Sequence, residues 1–177
     1  MDTPQRYNYP SMLLHWLIAV LIISAFALGT IMTDMKFSPT KLQYFAWHKW
    51  LGVCILALVA VRLLVRLFST QPAPLSSSRW ETLLAKCTHI ALYVLMFAVP
   101  LSGYFMSLAA GYPVVLFKVI ELPVFISADP ILKESLTELH ELLNYAMLAT
   151  VLLHIAGAFN HQLIDKKAIF KRILPWK

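Results

Sequence analysis

The stretch LHELLNYAMLATVLLHIAGAFNH, residues 139–161, decides the fold, because it is long and apolar enough to cross a membrane and carries three of the six histidines. Its histidines, His140, His154 and His161, follow one another at steps of 14 and 7 residues. Those steps return to nearly the same face of a helix with 3.6 residues per turn. At 1.5 Å per residue, His140 and His154 lie about 21 Å apart along the axis. The stretch therefore predicts a transmembrane helix with one histidine near each membrane face.

The composition of the whole chain is that of an integral membrane protein. Of its 177 residues 59% are hydrophobic and only 14% are charged, and the mean hydropathy is +0.69. Four segments can cross a hydrocarbon core, at about 13–33, 47–68, 87–108 and 139–161. The basic residues behind the net charge of +6 flank these segments and form no separate patch, which argues against nucleic-acid binding. We predict one all-α domain over residues 1–177, a four-helix transmembrane bundle.

The distribution of lysine and arginine sets the predicted orientation. The N-terminus, the second connection and the tail hold ten of the 15 basic residues, namely Arg6, Arg62, Arg66, Arg79, Lys86, Lys166, Lys167, Lys171, Arg172 and Lys177. The first and third connections hold the other five, Lys36, Lys41, Lys49, Lys118 and Lys133. By the positive-inside rule both termini are cytoplasmic. The third connection, about 109–138, is then periplasmic, and its apolar sequence predicts a cap lying on the bundle.

All six histidines fall inside a predicted span or at its edge, where a histidine is energetically costly and usually functional. At the periplasmic depth only His48 and His140 are available, so they form a pair. At the cytoplasmic depth the choice is open, because both His15 and His89 lie deep enough to face His154. The remaining histidine, His161, lies at the membrane edge.

Pairs of histidines at two depths suit two haems stacked across the membrane, each held by two imidazoles. Neither Cys54 nor Cys87 belongs to a C-x-x-C-H motif, so the haems are predicted to be b-type and held without a covalent bond. On the second helix, Arg62 and Arg66 are one turn apart and are candidates to contact haem propionates or a quinone carbonyl. Basic side chains that extend from a helix end toward the membrane surface explain the two arginines equally well.

These histidines stand in longer motifs, which in chain order are His15-Trp16, His48-Lys-Trp-Leu-Gly52, Val61-Arg62-Leu-Leu-Val-Arg66, His89 with Leu92-Tyr93, Pro100-Leu-Ser-Gly103, Leu139-His140-Glu141, His154, and a tail from His161 through Asp165 to Arg172 and Pro175. As a set, over nearly the whole length, the chain resembles the bacterial di-haem cytochromes b561. That four-helix family includes the membrane superoxide oxidase.

The resemblance implies a role for each histidine. It implies that His15 and His154 ligate the cytoplasmic-side haem iron, that His48 and His140 ligate the periplasmic-side iron, and that His89 and His161 belong to a ubiquinone site. It further implies a multi-pass oxidoreductase of the bacterial inner membrane. Electrons would pass through two haems b between a periplasmic donor, either superoxide or a small reductant, and the ubiquinone pool.

Two other functions fit the same sequence. The chain could be a membrane-anchor subunit that relays electrons for a separate periplasmic redox protein and has no substrate of its own. It could also be a haem-free bundle or an ion carrier, in which the histidines only pack or bind protons. A visible absorption spectrum separates the haem-free alternative from the other two.

Overall fold

The structure, a computed structural model, describes residues 6–73 and 78–175. Residues 1–5, 74–77 and 176–177 lie outside it, and with them part of the second connection and the Lys177 of the basic tail. The described elements are α1 (Tyr9–Asp34), α2 (Pro39–Leu67), α3 (Arg79–Ala109), β1 (Val115–Leu116), β2 (Ile120–Glu121), α4 (Pro130–Phe159), a π-helical segment (Asn160–Ile164) and α5 (Ile169–Ile173).

Each long helix begins at a polar side chain that accepts a hydrogen bond from the first turn. These capping residues are Asn8, Ser38, Ser78 and Asp129, and proline follows in the first turn of α1, α2 and α4. Because the caps lie outside the apolar runs, α2, α3 and α4 begin eight or nine residues before the predicted spans. Hydropathy detects only the part of a helix that the membrane covers, so the sequence predicted the four spans and not the full helices.

In the described part of the chain, four helices, from α1 to α4 with its π-helical extension, are long and apolar enough to cross a membrane. This confirms the predicted four-helix transmembrane bundle. Helix α1 packs on α2 and α3 packs on α4, and the α2–α3 contact joins these two hairpins. The core, Ile18, Ile55, Val59, Met96 and Met147, draws on all four helices.

Helices α1 and α4 approach each other only sparsely within the described residues. An apolar groove runs between them at mid-height, where its walls include Ile22 and Phe26 of α1 and Met147 and Val151 of α4. We call this boundary the seam. The two hairpins therefore meet closely on one side of the bundle and remain parted on the other.

The segment 110–129 forms a cap over one end of the bundle. Strands β1 and β2 pair antiparallel in it, and the hydroxyl of Tyr104 and the indole of Trp50 donate hydrogen bonds to its backbone, at Pro123 and at Val115. The turn between the strands holds Phe117 and Lys118 at positive φ. The predicted cap of 109–138 was too long, because Asp129 starts α4 and residues 130–138 are helical.

At the other end, which we call the termini end because the described residues begin and end there, the C-terminal strap (residues 165–175) crosses the helix ends. Its carbonyls accept hydrogen bonds from the side chains of Arg6 and Trp16, at 2.7 and 3.1 Å, and from the backbone of Tyr7. The guanidinium of Arg172 donates to the carbonyl of Ala73, at 2.9 Å, in the connection between α2 and α3. The strap thus ties the tail to the first helix and to the second connection.

Candidate functional site

At the cap end, His48 of α2 and His140 of α4 face each other inside the bundle. Their ring centres are 6.4 Å apart and the ring planes are nearly perpendicular, at 89°. The two residues belong to different hairpins, so the pair spans the space between them. We call it the two-histidine site.

Both rings of the two-histidine site are held through Nδ1. In His48, Nδ1 donates to the carbonyl of Ala25 at 2.9 Å. In His140, Nδ1 lies 2.9 Å from Oγ of Ser102, whose own hydrogen goes to the carbonyl of Val99, so the oxygen accepts from the ring. Each neutral ring therefore carries its hydrogen on Nδ1 and keeps a lone pair on Nε2. A second-nitrogen hydrogen bond of this kind is the usual support of a metal-binding histidine.

Two glycines leave space for these two rings. A Cβ added to Gly103 would lie 3.0 Å from Cε1 of His140, and one added to Gly29 would lie 3.3 Å from Cε1 of His48. Gly157, by contrast, has no neighbouring atom within 4 Å of such a Cβ. The sequence alone indicates no such role for either glycine, because glycine in a transmembrane helix more often serves helix packing. The only sequence signal is that each lies near the same membrane face as its histidine.

At the termini end, a three-histidine site brings together His15 of α1, His89 of α3 and His154 of α4. The ring of His154 lies 6.2 Å from that of His15 and 5.3 Å from that of His89. The sequence placed all three at this depth without choosing between them, and the structure brings all three together.

Ring separation distinguishes the two candidate pairs. With a metal–nitrogen bond of about 2 Å and roughly 1 Å from nitrogen to ring centre, two imidazoles on opposite sides of one metal ion have centres about 6 Å apart. The His48–His140 and His15–His154 separations match this value, whereas 5.3 Å between His89 and His154 is short for it. On distance, His15 is the better partner of His154.

Hydrogen bonding at the three-histidine site differs from that at the two-histidine site. There, Nδ1 of His15 lies 3.0 Å from Nη1 of Arg62. Because a guanidinium only donates, Nδ1 of His15 accepts, and the hydrogen of a neutral ring is then on Nε2. The side chain of Arg62 is long enough to turn away, so this hydrogen bond does not exclude His15 as the partner of His154.

The two predicted arginines lie beside this site. Arg62 and Arg66 each place Cζ 5.9 Å from the ring centre of Tyr93, a residue that the sequence analysis did not select. This arrangement puts two positive charges within the last two turns of α2. The structure therefore brings both arginines to the three-histidine site, as their sequence spacing allowed.

His161 lies apart from the other histidines, in the π-helical segment. Its Nδ1 donates to Oδ2 of Asp165 at 2.6 Å, and Lys167 contacts the same oxygen at 3.3 Å. One oxygen of Glu81 lies within 4.8 Å of the His161 and Asp165 ligand atoms. Among the ring contacts of the described residues, none joins His161 to the three-histidine site. The rings of His89 and His161, the two predicted quinone contacts, therefore do not touch each other within the described residues.

A four-helix transmembrane bundle with histidines facing each other inside it has the architecture of a membrane b-type cytochrome. The chain belongs to the prokaryotic cytochrome b561 family, whose sequence model matches residues 6–176. It is 32% identical to cytochrome b561 homolog 2 of Escherichia coli (strain K12) over 181 residues, which cover 98% of this chain and 93% of that protein.

Membership in the family confirms the resemblance inferred from the motifs. The chain is a multi-pass protein of the bacterial inner membrane. It is a transmembrane electron carrier of a b-haem family, and its lipid-facing helices lie in the bilayer.

Proposed function

We propose that this chain holds two haems b and moves single electrons between a donor at the cap end and ubiquinone at the termini end. The observation that carries the proposal is that two histidine pairs, at opposite ends of the bundle, each have the ring separation of two imidazoles on one metal ion. His48 and His140 would hold one haem, and His15 and His154 the other.

The side chains present fit a b-type haem. The facing imidazoles would supply nitrogen ligands to the iron, Gly29 and Gly103 leave space at the rings of His48 and His140, and no covalent anchor would be needed. When bound, each haem iron takes up and gives back one electron between its ferric and ferrous states. The protein holds the imidazoles and sets the dielectric and charge around each site, which tune the redox potential.

The orientation we propose puts both termini in the cytoplasm and the cap in the periplasm, as the lysine and arginine counts favour. Superoxide is our proposed electron donor, and a small periplasmic reductant is the alternative donor. The reaction would then be 2 superoxide + ubiquinone + 2 H⁺ → 2 O₂ + ubiquinol. Lys49, next to His48, places Nζ 5.8 Å from the ring centre of Tyr112 and is the cation nearest in sequence to the donor-side pair.

For ubiquinone we propose the termini end, with His89 and His161 as the contacting residues. His89 lies beside His154, which favours short electron transfer to a quinone there. His161 is held by Asp165 at the edge of the membrane span, where quinone protons enter from the cytoplasm. Arg62 or Arg66 is a further candidate to contact an oxygen of the haem or of the quinone.

The test of the proposed function is a visible spectrum of the purified protein, oxidised and dithionite-reduced, with the haem-to-protein ratio. We expect two low-spin haems b per chain, all extractable by acid–acetone because no thioether bond holds them. A spectrum without haem would leave the haem-free alternative, and one haem per chain would remove one of the two histidine pairs.

The cap-end pair has its own test. His48→Ala and His140→Ala should each remove the same haem, and the double variant should match either single variant. Loss of different haems would show that the two histidines do not share one iron.

The relay alternative is tested on the same preparation. Purified protein that reduces ubiquinone with superoxide unaided supports the proposed oxidoreductase. Activity that requires a co-purifying periplasmic redox protein would instead assign the chain as a membrane-anchor relay subunit.

A further inference from the structure

The hydroxyl of Tyr93 is buried and has no hydrogen-bond partner within the described residues. A phenol O–H buried without a partner is energetically unfavourable, and buried hydroxyls in proteins nearly always find one. The neighbours that hold its ring, Arg62 and Arg66, are donors only and cannot accept this hydrogen. The unpaired hydroxyl therefore points to an acceptor oxygen outside the described residues.

The two guanidiniums give the same indication through their charge. Within residues 6–73 and 78–175 the ion pairs join Asp165 to His161 and Lys167, and none involves Arg62 or Arg66. Both arginines lie half-buried on a helix that crosses the membrane. Positive charges in such a position are normally paired with an anion.

The hydrogen bond between Arg62 and His15 provides a third observation. It fixes Nδ1 of His15 as an acceptor and so puts the hydrogen of the neutral ring on Nε2. A neutral imidazole binds a metal through a nitrogen that carries no hydrogen. If Nε2 of His15 takes the metal, Nδ1 must carry the hydrogen, and Arg62 then faces another donor and must release it.

We infer that Arg62, Arg66 and Tyr93 form a carboxylate-binding clamp. The clamp offers two guanidinium donors and one phenol donor around a single point, which suits the several lone pairs of a carboxylate. Two uncompensated positive charges favour an anion over the neutral carbonyl of a quinone. The propionate group of the haem held by His15 and His154 is the carboxylate that this position implies, so the inference rests on the proposed function.

The test compares Tyr93→Phe with the unmodified protein by redox potentiometry of both haems. The variant keeps the ring that the arginines contact and removes only the hydroxyl. Losing a donor to the propionate leaves its negative charge less neutralised, which stabilises the ferric form. We expect the midpoint potential of the termini-end haem to fall, with no change at the other haem. Arg66→Gln, which removes a positive charge, should lower the same potential further.

Tyr145→Phe is the matched control, because the Tyr145 hydroxyl is exposed and already donates to Glu141. It should leave both potentials unchanged. A second readout is the redox-difference infrared spectrum of protein carrying haem labelled with ¹³C at its propionate carboxyls. The labelled carboxylate bands should shift in Tyr93→Phe and not in Tyr145→Phe.

The outcomes separate the two proposals. Unmodified protein without haem would overturn the proposed function. If the protein holds two haems but neither Tyr93→Phe nor Arg66→Gln changes the potentials or the labelled bands, the clamp alone is overturned. Unchanged potentials together with weaker ubiquinone binding in Tyr93→Phe would also overturn it, because the acceptor would then be the quinone.

Discussion

Both His15 and His89 are candidates for the position opposite His154, and the ring separations favour His15. We therefore expect His89→Ala to keep both haems and their low-spin spectra. Its quinone reduction should weaken by roughly two- to twelve-fold in KM, the loss of one buried hydrogen bond of about 0.5–1.5 kcal/mol. His15→Ala should give a high-spin termini-end haem or none. Spectra of the reduced variants and a titration with soluble quinone measure both effects.

Loss of a haem in His89→Ala, with both haems retained in His15→Ala, would reverse this assignment. In that case His89 would be the partner of His154, and its assignment to a quinone site would have to be withdrawn.

Gly103 gives a prediction specific to the cap-end site. A methyl group at this position would lie 3.0 Å from Cε1 and 3.3 Å from Nδ1 of His140, closer than normal contact. Gly103→Ala should push the ring off its rotamer, at about 0.5–1.5 kcal/mol, and weaken cap-end haem binding by roughly two- to twelve-fold. The matched control, Gly157→Ala, meets no atom within 4 Å and should leave the haem content unchanged. Equal haem loss in both variants would indicate a general effect on helix packing.

The sequence could predict the depth of each histidine but not its neighbours. Depth follows from position along an apolar segment, so the grouping of His48 with His140 required no tertiary information. The Ala25 carbonyl, the Ser102 hydroxyl and the glycine surfaces lie on other helices, and helix rotation and crossing decide which residues meet. The same reason explains why Tyr93 was quoted in a motif and given no role.

At the scale of elements, the C-terminal strap depends on the contact between His161 and Asp165. The pKa of Asp165 is lowered, chiefly by the hydrogen bond from His161, with burial opposing and Lys167 adding to the effect. A carboxyl whose folded pKa is depressed stabilises the folded state above its unfolded pKa, near 3.8, and loses that contribution as the pH falls through the folded value. The contact should therefore persist from about pH 5 to 8 and weaken only in more acidic solution.

Hydrogen–deuterium exchange of residues 165–175, corrected for intrinsic rates, measures this effect. Protection should be constant above about pH 5 and fall in acid. Asp165→Asn should reduce the protection only modestly at neutral pH, because the ion pair is partly exposed and water screens it. It should also remove the acid-dependent step, because asparagine does not titrate. An acid-dependent step that persists in Asp165→Asn would assign it to other groups, such as Glu81 nearby.

The strap and the π-helical segment show what a sequence pattern at this scale cannot reveal. The apolar pattern of α4 continues through His161, which predicts an ordinary helix end. The change to π-helix at Asn160 depends on how the next residues fold back, including the contact of Phe159 with Phe170, whose ring centres are 5.6 Å apart. Such contacts are made by a tail whose composition only indicated a basic cytoplasmic segment.

At the scale of the whole molecule, the proposed orientation predicts opposite accessibility for the two ends. In a Cys54→Ser, Cys87→Ser background, Lys118→Cys in the cap turn should react with a membrane-impermeant thiol reagent in intact spheroplasts. Lys167→Cys in the strap should react only after the membrane is opened. Both residues are partly or fully exposed, so burial does not protect either. The reverse labelling pattern would show that the lysine and arginine counts predict the wrong orientation for this protein.

The seam between α1 and α4 has a consequence for the life of the protein in the cell. Under the proposed ligation, α4 is linked through iron to α1 at one end and to α2 at the other, across a boundary where the helices themselves pack sparsely. Newly made chains that await their prosthetic groups would then be held together mainly by the two hairpins. Such chains open more readily to membrane proteases, since degradation follows the population of open forms. The cellular supply of haem would thus govern how much of this protein accumulates.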